Sequence, residues 1–143
     1  MEKKLVFENQ YIEYWLLADK KEIQAIWKRE TEIMTDEDYK ELVFNSLVVY
    51  EVYHPTFFLI DCTYFFFTAS PEMQLWIAEN FTPKIVALGI TKVAIILPKE
   101  FYALLSVEQM MEEVKDNNKE VHETKYFDNY TSAQNWFYTT ETK

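Results

Sequence analysis

Glycine is almost missing from this sequence: Gly89 is the only one among 143 residues. Dinucleotide- and phosphate-binding loops need several glycines so that backbone amides can approach phosphate, so classical dehydrogenase, kinase and GTPase readings fall together. Cysteine is equally scarce. Cys62 stands alone, no disulfide can form within the chain, and the simplest expectation is a cytoplasmic protein. His54 and His122 lie on different predicted elements from Cys62 and share no ligand spacing, which argues against zinc; only carboxylate-only magnesium binding stays compatible with the composition. No cofactor and no resident metal are expected. Arg29 is the single arginine, and 14 basic residues against 24 acidic ones leave a net charge of −10. That field repels a phosphate backbone, so nucleic acid is an unfavourable partner. No window approaches the roughly 18 apolar residues of a membrane span. The basic pair near the N-terminus is followed by an apolar run, Leu5 to Phe7, too short for a signal peptide.

What the chain does have is aromatic and aliphatic mass: 49% of residues are hydrophobic and 17% aromatic, enough for one well-filled domain and too much for disorder. Tyr11–Ala18 and Ile23–Arg29 read as strands of an antiparallel hairpin around a polar turn, Asp19 to Glu22, with a short strand over Lys3–Asn9 before them. Period-two alternation puts Ile23, Ala25 and Trp27 on one face of the second strand and Gln24 and Lys28 on the other. Thr35 followed by Asp36, Glu37 and Asp38 signals a helix start, predicting a helix from Asp36 to about Tyr53 that stops at His54-Pro55. Phe57–Thr63 and Lys92–Leu97 are apolar on both faces, as central strands covered on both sides are. Ser70-Pro71-Glu72 opens a helix, Thr82-Pro83 breaks and restarts it, and Gly89 caps it. A further helix through Met110, Met111 and Val114, an edge strand over Val121–Phe127 and a last helix capped by Asn129 or Thr131 complete the order. Strands alternating with helices imply a single-domain α/β sandwich: a mixed, mostly parallel sheet with an N-terminal antiparallel hairpin and about four helices.

Chemistry has few candidates. Ser70 reads as an N-cap, His54 and His122 as surface or capping residues, and Cys62 as inert core packing; no nucleophile has a base beside it in sequence. An enzyme is not expected. Binding sites of open α/β sheets lie outside the carboxyl ends of the strands, and Asp61, Thr63, the aromatic run Tyr64, Phe65, Phe66 and Phe67, Ser70 and Lys99 reach that edge. Three roles are open to Asp61: an ion pair with Lys99, a cap on loop amides, or a ligand contact. Ser70, at a helix start, is open to a role as phosphoacceptor or phosphate contact. Four exposed aromatics in one loop would be a sticky patch, so something must cover them.

The hairpin and capped helix, then LIDCT followed by PEMQLW, KVAIILP, SVEQMMEE and a closing YFDNYTSAQNWF, resemble the SpoIIAA-like branch of the STAS fold, that of anti-sigma-factor antagonists. The resemblance runs from about Tyr11 to Phe137 and implies a regulatory module in place of a catalyst. It also implies a phosphorylated serine at the helix after the central strand, where this chain has Ser70; Ala69 replaces the family's preceding aspartate, and Glu72 would repel a phosphate there. Two functions fit. One is a homodimeric protein-interaction module that uses an aromatic surface to bind itself or a signalling protein. The other is a sensor of a small apolar molecule or lipid, with Tyr64 to Phe67 as the wall of a pocket at the carboxyl edge and Asp61 or Lys99 as its polar anchor.

Overall fold

The computed structural model describes residues 2–104 and 123–139. The helix expected through Met110 and Val114, and the first two residues of the strand expected over Val121–Phe127, lie outside the described residues. Six strands, β1 (Lys4–Glu8), β2 (Ile12–Leu17), β3 (Glu22–Trp27), β4 (Phe57–Asp61), β5 (Lys92–Ile96) and β6 (Glu123–Phe127), form one sheet in sequential order. β1, β2 and β3 are antiparallel; β3, β4, β5 and β6 are parallel, with β6 at an edge. The helices are α1 (Asp36–Tyr53), α2 (Pro71–Asn80), α3 (Thr82–Ala87), α4 (Lys99–Leu104) and α5 (Tyr130–Tyr138). This is the mixed α/β sandwich expected from the alternation of strands and helices.

Local chemistry sets the boundaries. The Thr35 hydroxyl accepts the Asp38 N–H while the Asp38 carboxylate accepts that of Thr35, a reciprocal cap that commits the β-branched segment behind it to helix α1. His54 ends the helix in a left-handed conformation, φ 48°. Ser70 caps α2 with Pro71 at the first helical position, and Asn129, not Thr131, caps α5 by accepting the Ser132 N–H. Gly89, φ 102°, provides the left-handed exit from α3.

The hairpin turn sits one position earlier than expected, with Ala18 leaving the first strand and Glu22 joining the second. Ala18–Lys20 close a 3-10 turn and Lys21 takes the left-handed conformation, φ 56°, so the chain re-enters the sheet at Glu22, opposite Leu17. Glu22 is therefore a strand residue and fully buried. Gln24, expected to mark an outer face, is buried as well, because β3 is covered on both sides.

Two cores flank the sheet. Ile12 and Tyr14 of β2, Ile23, Ala25 and Trp27 of β3, Phe58 of β4 and Val93 of β5 pack beneath α1 and α3. Leu59, Ala94 and Ile96 point the other way and pack against Ala133 and Phe137 of α5. Successive residues of β4 thus enter opposite cores, the pattern of a strand buried on both faces. Each fully buried side chain of this size contributes about 2 kcal/mol. Leu59→Ala, at a side chain with no exposure, should cost about 3 kcal/mol, read as a lower urea midpoint with unchanged slope. A loss under about 1 kcal/mol would mean that the second core is not closed over β4.

Candidate functional site

The carboxyl edge does not assemble the polar anchor expected of it. Asp61 is the last residue of β4 and its parity turns it toward α5. One carboxylate oxygen accepts both the Thr63 N–H (2.9 Å) and the Thr63 hydroxyl (2.6 Å), and the other accepts the Tyr130 hydroxyl (2.5 Å). Asp61 thereby caps the loop and ties it to α5. Lys99 begins α4, is exposed and forms no ion pair with Asp61; the ion pair found among the described residues joins Lys28 to Glu8 at 2.9 Å. The Ser70 hydroxyl accepts the Met73 N–H at 3.1 Å, as an N-cap does. Among the described residues no three His, Cys, Asp or Glu side chains converge to hold a metal ion.

The four aromatics alternate. Phe65 and Phe67 fold inward: Phe65 lies 4.7 Å from the Trp27 ring and Phe67 stacks on Tyr39 at 4.8 Å, both centroid to centroid. Tyr64 and Phe66 face out at 41% and 47% exposure, and the Arg29 guanidinium sits 4.1 Å over the Tyr64 ring. That stack uses the chain's single arginine to cover part of the patch. What holds the alternation is a residue that sequence reasoning missed. Thr31, on a 3-10 turn over Arg29–Ile33, is fully buried; its hydroxyl oxygen accepts the Phe66 N–H (2.8 Å), with the Tyr64 and Lys28 carbonyls within reach of its proton (3.1 and 2.9 Å). A lone threonine between two glutamates carries no signal of this in the sequence.

Beneath α1 the apolar face of the sheet bounds a cavity of about 210 Å³. Its floor is a row that the strand register brings together: Tyr14 opposite Ala25, Ala25 beside Ile60, Ile60 beside Ile95. Its roof is the inner face of α1, with Tyr39, Val43, Ser46 and Tyr50 spaced three or four residues apart as one helix face requires, and α2 adds Ile77. Cys62 and Phe65 line the end toward the strand carboxyl termini. Of the site residues named from sequence, only Phe65 reaches this cavity; Asp61 belongs to the opposite core, one residue out of phase.

The cavity is uncharged. Burial pushes the phenols of Tyr14 and Tyr50 up and that of Tyr39 up to about 12, and burial with the nearby Asp61 charge pushes the Cys62 thiol up to about 12. One polar atom in its walls is unmatched. The Tyr50 hydroxyl is buried with no hydrogen-bond partner, while the nearby Ser46 hydroxyl donates to the Val43 carbonyl at 2.6 Å. The Tyr14 and Ser46 hydroxyls lie close enough to bias the titration of Tyr50, yet neither closes a hydrogen bond to it. An orphaned buried hydroxyl costs about 1–3 kcal/mol.

Glu22 is a fully buried carboxylate with no cation against it among the described residues. Gln24 (2.8 Å), Gln134 (3.1 Å) and the Tyr138 hydroxyl all donate to it, so α5 supplies two of its three partners. No family model, no curated protein and no solved structure matches this chain.

Thr31→Val should leave the Phe66 N–H unpaired and cost about 1–3 kcal/mol in urea unfolding, with Thr31→Ser recovering most of the loss. A larger loss in Thr31→Ser than in Thr31→Val would show that the methyl group and not the hydroxyl matters. A second test is alkaline. Groups whose folded values lie above the unfolded ones, 9.0 for the thiol and 10.0 for the phenols, contribute stability that is full below those values and lost as pH rises toward about 12. The urea midpoint should therefore hold from pH 7 to 9 and fall from pH 9 to 11; a flat profile to pH 11 would mean that these groups are solvated.

Proposed function

We propose that the chain is a non-catalytic regulatory protein-interaction module of SpoIIAA-like, STAS-type fold that pairs with a second copy of itself through the outer face of α1. The observation that carries this reading is a ridge on that helix. Phe44, Val48 and Val52 recur every four residues at 56%, 58% and 61% exposure, on the face turned away from the sheet. The spacing is symmetric about Val48. A twofold axis there sets Val48 against Val48, Phe44 of one copy against Val52 of the other, and Glu51 against Asn45, so no acid meets an acid despite the net charge of −10. Ridges at four-residue spacing interlock at about −50°.

The pairing of the half-buried Asp61 and the buried Glu22 supports the non-catalytic part, since both spend their oxygens on neighbouring donors. The strand and helix order supports the SpoIIAA-like part. A contact made by one helix face falls near or below the ~1,200 Å² of stable interfaces, which suits a reversible, micromolar pairing that a signalling partner's helix could displace. Sedimentation over a range of concentrations should show a monomer–dimer equilibrium, and Val48→Asp should leave a folded monomer. A strict monomer at 100 micromolar, or a dimer untouched by Val48→Asp, would overturn the reading.

A further inference from the structure

We infer that the outward side of the aromatic loop, with the turn beside it, is a docking surface for an arginine-rich amphipathic segment of another protein. Three apolar side chains form its centre. Tyr64 and Phe66 face solvent from the loop, and Ile33, on the turn Arg29–Ile33, is the most exposed of the large apolar side chains described, at 65%. The Thr31 hydroxyl, bonded to the backbone at both Tyr64 and Phe66, fixes turn and loop as one surface. Apolar groups held outward on a fixed support mark an interaction surface.

The rim selects the partner. Glu30 and Glu32 flank Thr31 on the turn, and Asp36 and Glu37 open α1, whose Tyr39 stacks on Phe67 of the same loop. All four acids are exposed, and none meets a cation in an ion pair among the described residues. Of the cations nearby, Lys28 is held by Glu8, Lys40 sits 5.7 Å from the Trp76 ring, and Arg29 lies over Tyr64. Such a rim rejects the occupants that the chain itself could supply. A second copy brings the same four acids, and the chain's own residues 105–122 carry five acids against two lysines. It also rejects an anionic membrane and a nucleic acid. A cationic partner gains from the rim and is steered to it by the net charge of −10. Arginine is favoured over lysine because Arg29 already shows the contact. Its guanidinium lies 4.1 Å over Tyr64, and Phe66 offers a second ring, 6.4 Å from the first, with no cation on it among the described residues. None of Ile33, Tyr64 and Phe66 belongs to the outer ridge of α1, so the test does not depend on dimer formation.

The probe is a fluorescein-labelled helical peptide with leucines spaced three and four apart and arginines elsewhere; its control carries glutamate at every arginine. Anisotropy titration of the full chain should give saturable binding of the arginine peptide, weakening as salt rises, and no binding of the glutamate peptide. Phe66→Ser should weaken the complex about tenfold. Glu32→Lys combined with Glu37→Lys should weaken it by a similar factor, while Glu79→Lys, at the far end of α2, should change it by less than about twofold. All these side chains are exposed, so the urea midpoint should stay where it is. In the unaltered protein the backbone amide resonances of Ile33 and Phe66 should shift on titration, a reading that needs no variant. The proposal falls if neither peptide binds or both bind alike, if Phe66→Ser leaves the affinity unchanged, if Glu79→Lys weakens binding as much as the paired reversal, or if those two resonances stay put.

Discussion

The alternation of β4 between two helical layers is the constraint on which everything else hangs. Phe58, Ile60 and Cys62 go under α1, and Phe57, Leu59 and Asp61 go under α5. Because side chains repeat every two residues, a slip of one position would send Asp61 into the apolar cavity and Ile60 to the Tyr130 hydroxyl, so register is tightly held. The same parity separates two kinds of chemistry at one strand end. Asp61 on one face is a saturated structural carboxylate; Cys62 on the other lines a cavity without charge.

Helix α1 carries a parallel division. Its inner residues Tyr39, Val43, Ser46 and Tyr50 roof the cavity, while Phe44, Val48 and Val52 stand outside. An apolar stripe on each side leaves the helix without a strongly polar face, which is why its second half also reads as a strand in sequence. The reciprocal cap between Thr35 and Asp38 decides the matter locally, and packing of the inner face of α1 against the sheet settles it.

Among the described residues the buried side-chain polar groups are matched with one exception. Glu22 and Gln24 form a buried pair completed by α5, Asp61 is held by Thr63 and Tyr130, and Thr31 holds the aromatic loop. Each satisfied group restricts the chain to one arrangement, since an unpaired buried donor or acceptor is costly. Against that background the lone Tyr50 hydroxyl stands out.

The strand and helix order, the caps at Thr35, Ser70 and Gly89, and the two-sided burial of β4 and β5 were legible in the residues, because periodicity and capping act over three or four positions; the last helix's cap was narrowed to Asn129 or Thr131. A single glycine argues in the same local way against a phosphate-binding loop. Tertiary structure alone decided which of Tyr64 to Phe67 fold inward and which face out, why Glu22 is buried, and that Asp61 and the cavity lie on opposite faces. Thr31 to Phe66, Glu22 to Tyr138 and Asp61 to Tyr130 join positions 35, 116 and 69 residues apart. No local pattern encodes such pairings; they exist only once the sheet has set its register and the helices have closed over it.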